Sequence, residues 1–386
     1  MIAQTTTPQE DSSTTPPDMP ACASFVGVDL HKCTVSLSAA DSRGQIIARI
    51  RTSTKCVEKI DAFLAALPQP VHLAVEACPF VEWFIDRYRQ RVACIDIADA
   101  TQLAALRGKR RKTDRKDADD MAIRLSRGDC PLGWIADEQV SYLRKLGRQW
   151  HRLARTLART KASMRGILLQ QNIPGPGKIE GPSAQRWLLA HGHLLKDIDR
   201  RNFGDLLMIV QTIERLQAPL KIQIIQANRT ERFAALIELL QSTPGIKHVW
   251  ACLIAAEVGD FTRFPNADAL EFWAGLTPDL KESAGRVTSG KITKAGSRTL
   301  RWALGMAAMT LCQSDATQER VRQRIIKRCG GKKAKANVAM ARRLLRVLFA
   351  MTRTGEVYRV GQPINRAAQA NRVRLSNKRS APGKAA

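Results

Sequence analysis

Short apolar runs and amphipathic stretches alternate through the first third of the chain. Residues 24–30 (S-F-V-G-V-D-L) form an apolar run with Asp29 near its end, the pattern of a buried strand. Over 33–39, Val35 and Leu37 alternate with Thr34, Ser36 and Ser38, and a D-S-R-G turn at 41–44 leads to a third strand at 46–51. Helical spacing over 57–67 puts Ile60, Phe63, Leu64 and Leu67 on one face. A second buried strand follows at 71–75, ending at Glu76, then an aromatic-rich helix at 80–91, a strand at 92–97 and a helical run at 98–107. Beyond it Ala118, Met121, Ala122 and Leu125 recur at helical spacing, which predicts a helix starting near Thr113, a plausible N-cap.

Three strands and then helix, strand, helix, strand, helix is the element order of a ribonuclease-H-like α/β fold. The remainder of the chain reads as helical. Along 141–171, Leu146, Trp150, Leu153, Leu157, Thr160, Met164 and Ile167 form a heptad seam with one polar break, the signature of a coiled-coil pairing. P-G-P-G at 174–177 ends that helix, and further helices are predicted at 182–195, 203–217 and 220–241. T-P-G-I at 243–246 resembles a helix-hairpin-helix turn, in which Gly245 would expose amides to a phosphate, although an ordinary packing corner has the same pattern. Helices at 249–258, 267–274, 300–313 and 338–353 complete the prediction, with Arg342, Arg343 and Arg346 on the exposed side of the last. Between 278 and 300 the glycine-rich, hydroxyl-rich sequence predicts a loop.

Charge changes this picture most. Across 386 residues, 62 Lys and Arg against 35 Asp and Glu give a net charge of +27, which points to nucleic acid as partner. Apolar runs fall short of the ~20 residues that span a bilayer, so no membrane association is expected. Nor does a signal-peptide pattern open the chain, where 1–22 reads as a disordered tail. The nine cysteines are scattered without a C-x-x-C pair, so neither a disulfide framework nor a zinc site is expected, and most should be reduced thiols filling core space. His151, His191 and His193 read as surface or polar-contact residues.

Candidate chemistry concentrates in two stretches. In 109–127, Asp114 and Asp117 stand one helical turn apart behind Lys109, Arg110, Arg111 and Lys112. With Asp29 and Glu76 at strand ends they could build a two-metal site for attack at a phosphodiester. Arg148, Arg152, Arg155 and Arg159 make a stripe roughly opposite the heptad seam, with few acids near it in sequence, and suit phosphate contact. In 278–300, Lys291, Lys294 and Arg298 would grip phosphate beside Gly285, Gly290 and Gly296, while Ser283, Thr288, Ser289 and Ser297 are open candidates for a nucleophile.

G-V-D-L-H-K (27–32), V-E-A (75–77), K-T-D-R-K-D-A (112–118), T-P-G-I (243–246), A-G-L-T-P (274–278) and I-T-K-A-G (292–296) together resemble the DEDD transposases of bacterial insertion sequences, the RNA-guided bridge recombinases. The resemblance spans roughly 24–355. It implies a RuvC-like (ribonuclease-H-like) catalytic domain at 23–130, a helical coiled-coil oligomerisation region at 131–241, and a mainly α-helical transposase domain at 242–355 with a serine loop. A basic disordered tail follows at 356–386. The resemblance also makes Asp29, Glu76, Asp114 and Asp117 the tetrad for Mg²⁺ (or Mn²⁺). Ser283 becomes the nucleophile, in E-S-A-G where the family usually has Ser-Gly, with Ser289, followed by Gly290, as its rival. Implied partners are donor and target DNA, a structured guide RNA and further copies of the chain, as dimer and tetramer, in a bacterial cytoplasm at the nucleoid. In this family the metal site of one protomer works with the serine loop of another through a transient phosphoserine link. A hydrolytic RuvC-like nuclease or junction resolvase using metal-activated water is the alternative.

Overall fold

The computed structural model describes residues 22–107, 114–179, 181–227, 231–283 and 286–360, with backbone alone for 107, 114, 115, 231, 232, 280–283 and 286–291. Both expected tails, apart from residues 22 and 356–360, and the basic run Lys109, Arg110, Arg111 and Lys112 lie outside the described residues. The chain divides into two compact units at residues 135 and 136.

The first unit is a six-stranded sheet with helices on both faces. Its elements are β1 (Ser24–Leu30), β2 (Thr34–Ala40), β3 (Ile46–Ser53), α1 (Val57–Ala65), β4 (Val71–Glu76), α2 (Val81–Tyr88), β5 (Cys94–Ala98), α3 (Ala100–Arg107), α4 (Asp114–Arg127) and β6 (Leu132–Gly133). Spatial order is β3-β2-β1-β4-β5-β6. The first three strands pair antiparallel, β1–β4 and β4–β5 pair parallel, and β6 returns antiparallel on β5. This topology is consistent with the ribonuclease-H-like fold expected from the order of elements, with β6 as an unpredicted addition. Val26, Val28, Leu73 and Val75 pack with Ile60, Leu64, Phe84 and Tyr88 of α1 and α2 on one face. Ala74 and Ala98 pack with Leu103, Met121 and Leu125 of α3 and α4 on the other.

The closest approach in this unit is between β1 and α4. A Cβ on Gly27 would lie 2.3 Å from the Ala118 carbonyl oxygen and 2.7 Å from the Ala122 nitrogen. Only a residue without a side chain lets the helix backbone rest on the strand there.

The second unit is helical apart from one hairpin. It comprises α5 (Glu138–Gln170), α6 (Gly181–His191), α7 (Asp197–Ala227), α8 (Glu231–Gln241), α9 (His248–Val258), α10 (Ala267–Trp273), β7 (Pro278–Ser283), β8 (Arg286–Ile292), α11 (Arg298–Ser314), α12 (Ala316–Arg328) and α13 (Lys333–Thr354). Asp137 caps α5 by accepting from the Val140 amide. Contacts of Gln171 with Asp199, Lys161 with Glu214 and Gln217 with the Trp150 carbonyl run in opposite directions along α5 and α7, so the two long helices pack antiparallel.

Several expectations change. The predicted boundary between helices at 203–217 and 220–241 is absent: α7 runs through Pro219 to Ala227, and α8 takes up 231–241, with 228–230 outside the described residues. Buried Ile213 and Ile224 on either side of the proline hold it in place. The predicted loop at 278–300 is largely the β7–β8 hairpin, closed antiparallel from Pro278↔Ile292 to Ser283↔Arg286. The helix α12 was not predicted, since its sequence is mostly polar and charged. On α13, Arg342 and Arg346 are not a free solvated row: both bond Glu271, which is fully buried, and Arg343 donates to the Gln318 amide oxygen.

Replacing Gly27 with Ala should force α4 off β1 and cost about 1–3 kcal/mol, as overpacking does. In α5, Gly166 has open space around its would-be Cβ. Gly166→Ala should therefore stabilise by up to about 1 kcal/mol through helix propensity. Urea unfolding midpoints check both signs, and equal losses at the two positions would contradict this reading.

Candidate active site and nucleic-acid interface

The register of the first unit determines which acids meet. In the parallel β1–β4 pair, Gly27 faces Ala74 and Val28 faces Val75, so Asp29 and Glu76 come next at the carboxyl ends of adjacent strands. Residues two apart share a face. Asp29 and Glu76 therefore lie on the face covered by α4, where Gly27 meets Ala118 and Ala122. Asp117, next to Ala118, is 3% exposed, and Asp29 is 4% exposed. Glu76 is half-buried. Asp114 is the first residue of α4, one turn before Asp117, and its side chain lies outside the described residues.

Two other acids of α4 have plain structural partners. Asp119 takes a two-point bond from Arg49 at 2.8 and 3.2 Å, and Asp120 pairs with Arg124 at 3.0 Å. They fix the helix against β3 and its own next turn.

Burying carboxylates on adjoining elements is unfavourable while both are ionised, and a hard divalent cation relieves it. The donor set of Asp29, Glu76 and Asp117 is all oxygen, which fits Mg²⁺ or Mn²⁺. In the structure their oxygens do not fall within the 4.8 Å mutual spacing of a preformed trio among the described residues. Two residues missed at the sequence level also belong here. His31 puts Nε2 3.2 Å from Asp29 Oδ2. The Cys78 thiol is pushed up by burial and then by the charges of Glu76 and Asp29. The signal for both was proximity along the chain, since each lies two residues beyond an acid at a strand end.

In the second unit, two of the sequence motifs form one clasp. A Cβ on Gly296 would lie 2.0 Å from the Trp273 carbonyl oxygen, and Gly275, at φ +67°, has Ala295 and Gly296 nitrogens against it. The Thr293 amide donates to the Thr277 carbonyl, and Lys294, at φ 57°, donates to Gly275. Arg301 ties the Ala274 and Gly296 carbonyls together. A-G-L-T-P and K-A-G thus form the base of the hairpin, and Ser283 stands at the register position nearest its tip. Ser297 is the N-cap of α11, accepting from the Leu300 amide, which gives it a structural role. Gly245 sits against α11, where a Cβ would lie 2.8 Å from the Leu311 nitrogen, so helix packing accounts for this glycine.

The arginine stripe is not uniform. Arg148 makes a two-point bond with Glu257 at 2.8 and 2.9 Å, so the expectation of too few acids nearby fails for this position. The fold supplies the acid from α9, and Arg144 caps the end of that helix at the Ala256 and Glu257 carbonyls. Arg152 and Arg159 are exposed. Arg155 is held below the usual arginine range by burial and then by the charges of Arg298 and Arg159, which places these cations together. Lys294 and Arg298 are exposed, while the Lys291 side chain lies outside the described residues. Beneath this ridge His151 is buried, with its ring 4.1 Å from that of Trp302 and Nδ1 2.9 Å from Thr299 Oγ1. Trp150, Trp250 and Trp302 join it from α5, α9 and α11.

A ribonuclease-H-like sheet with acids at the ends of β1 and β4 and on the following helix, joined to a basic helical unit, defines a DNA-acting enzyme of the DEDD class. Its sequence relatives narrow this. Residues 26–173 match the family profile of the IS110-type DEDD transposases, and residues 237–323 match that of the transposase IS116/IS110/IS902 family. A Sinorhizobium fredii protein described as a transposase, y4pF/y4sB, is 26% identical over 343 residues, covering 86% of this chain and 85% of its own. The transposase for insertion sequence element IS1328 of Yersinia enterocolitica is 24% identical over 355 residues, covering 86% of this chain and 98% of its own. The chain belongs to the IS110 family of DEDD insertion-sequence transposases. Its substrates are DNA, its family typically uses divalent metal ions, and among the described residues no helix is long and apolar enough to cross a membrane.

Burial, then the charges of Arg155 and Arg298, lowers His151 to a pKa of about 4. Its neutral form is the folded one. Between the unfolded value near 6.5 and about 4, the unfolded chain binds a proton that the fold does not. The contribution of His151 is therefore complete above about pH 6.5 and falls by as much as about 3 kcal/mol as pH drops to about 4. Unfolding free energies measured across that window should fall less steeply for His151→Gln, and parallel curves would refute the buried neutral imidazole.

Proposed function

We propose that this transposase cuts and rejoins DNA by serine attack, with Ser283 as nucleophile and Asp29, Glu76, Asp114 and Asp117 holding Mg²⁺ (or Mn²⁺) at the reacting phosphodiester. The observation that carries the reading is the burial of Asp29 and Asp117 on one face of the sheet, with Glu76 the register neighbour of Asp29. When bound, the divalent ions would supply Lewis-acid stabilisation to the phosphate oxygens and the leaving oxygen. The protein's own part is to orient those ions through acids on a strand pair and a seated helix.

Ser283 is favoured over Ser289 by register. Opposite residues of an antiparallel pair share a face. Ser283↔Arg286 and Lys281↔Thr288 therefore share one face, whereas Ser289 shares the other with Leu280, Glu282 and Val287. A basic, hydroxyl-bearing face near the hairpin tip suits a phosphodiester better than an acidic and apolar one. In the reaction a bond forms between Ser283 Oγ and phosphorus while the phosphorus–leaving oxygen bond breaks, and the serine proton leaves with solvent or the departing oxygen. A hydroxyl of the partner strand then displaces Oγ and regains the joined phosphodiester, so no water is consumed.

Arg152, Arg155, Arg159, Lys294 and Arg298 would track the nucleic-acid backbone, with Lys109, Arg110, Arg111, Lys112 and Lys291 adding charge. Site choice is assigned to a structured guide RNA on the strength of the family resemblance. Region 131–241 would serve assembly into dimers and tetramers, which the exposed Met208, Ile209, Leu216 and Ile222 of α7 support. Region 242–355 carries the serine hairpin.

Full-length protein with element-end DNA and Mg²⁺ should yield a covalent protein–DNA adduct. Ser283→Ala should lower adduct and joined product by at least about 10³-fold, while Ser289→Ala stays within about tenfold. Asp29→Asn and Asp117→Asn should abolish cleavage with DNA binding retained. Cleaved, unlinked ends in the wild type would favour metal-activated water instead, and an adduct persisting in Ser283→Ala would exclude that serine. DNA affinity should fall by about 10³ or more between 50 and 200 mM salt if six phosphates are contacted, and a flat response would rule out the basic ridge.

A further inference from the structure

At the opposite end of the same sheet, strand pairing assembles a second donor set. In the parallel β4–β5 pair His72 is opposite Cys94, and Ala74 is opposite Asp96, so His72, Cys94 and Asp96 share one face. A ligand atom from each lies within 4.8 Å of the other two. His72 is 2% exposed, and Cys94 and Asp96 are half-buried. His72 Nε2 is 2.8 Å from Asp96 Oδ2. Four residues of strand separate His72 from Glu76, about 13 Å, so this group is distinct from the acidic site.

We propose that His72, Cys94 and Asp96 form a site for a borderline-soft divalent cation, Zn²⁺ by donor chemistry, that cross-links β4 to β5 at the amino ends of the strands. The donors are one imidazole nitrogen, one thiolate and one carboxylate, the set that selects zinc over the all-oxygen ligation of Mg²⁺. Tetrahedral zinc bonds of about 2.0–2.3 Å put ligand atoms about 3.3–3.8 Å apart. His72 Nε2 and Asp96 Oδ2 need open by only about 0.5 Å from their present contact to accept an ion between them. Binding transfers the Cys94 thiol proton to solvent and uses the neutral imidazole. Three protein ligands leave the fourth position to water. A hydrogen-bonded His–Asp pair beside the Cys94 thiol is the competing arrangement, and no local C-x-x-C or H-x₃-H spacing marks a zinc site in the linear chain. Sheet register, not chain spacing, gathers these three.

The test uses the full chain purified without a metal-affinity tag, stripped with chelator and titrated with Co²⁺ and then Zn²⁺. One equivalent of Co²⁺ should give visible d–d bands of tetrahedral strength and a thiolate-to-metal charge-transfer band that one equivalent of Zn²⁺ removes. Cys94→Ser should lose the charge-transfer band, and Asp96→Asn should weaken Zn²⁺ binding by at least about 10–100-fold, the loss that even outer partners of a metal site bring. Asp117→Asn should keep the band, which separates this site from the acidic one. Circular dichroism confirms that each variant is folded. If Cys94→Ser does not fold, alkylation of the native thiols read by mass spectrometry replaces it: Zn²⁺ should slow modification at Cys94 and leave exposed Cys33 unchanged. No charge-transfer band in the wild type, a band that survives Cys94→Ser, or equal alkylation of Cys94 with and without Zn²⁺ would each overturn the proposal.

Discussion

The contact of α4 with β1 through Gly27 governs the rest of the first unit. Helix backbone rests on strand backbone there, with no side chain between them. That seating brings Asp117 into the protein interior beside the strand that carries Asp29, and the parallel β1–β4 register then adds Glu76. A larger residue at position 27 would lift the helix and separate Asp117 from the strand acids, whatever their chemistry. The bidentate Arg49–Asp119 pair secures the same helix from the side of β3.

The buried acids of the second unit have plain structural partners. Glu271 is enclosed with Arg342 and Arg346, Glu257 with Arg148, and Asp315 caps α12 while accepting from Tyr358. Each of these is an acid answered by a cation or by a helix end, so its charge is compensated within the fold. At the ends of β1 and β4, register sets Asp29 and Glu76 on adjacent strands, and His31 places Nε2 3.2 Å from Asp29 Oδ2. A donor set of carboxylate oxygens at these strand ends suits a hard divalent cation.

Local pattern made the first unit legible. The apolar run of β1 matches the folded strand, and Asp29 and Glu76 stand out as carboxylates closing buried strands. Where meaning depended on distant partners, the sequence was silent. Arg148 looked like one step of a phosphate-binding stripe until α9 brought Glu257 to it. The hairpin at 278–292 is hidden because glycine and hydroxyl residues replace strict apolar alternation, and its base is held by backbone contact between Gly275 and Gly296. Pro219 suggested a break that the buried residues of α7 override. His72, Cys94 and Asp96 carry no linear signature, because the register between β4 and β5 is what groups them.

The most direct test of the central claim is where a divalent ion binds in the first unit. Crystals of the full chain with element-end DNA, grown in Mn²⁺, would locate the ion by anomalous scattering. The account predicts a peak bounded by Asp29, Glu76 and Asp117 at the carboxyl ends of β1 and β4, lost in Gly27→Val crystals. A Mn²⁺ peak elsewhere, with these three carboxylates pointing away from it, would contradict it.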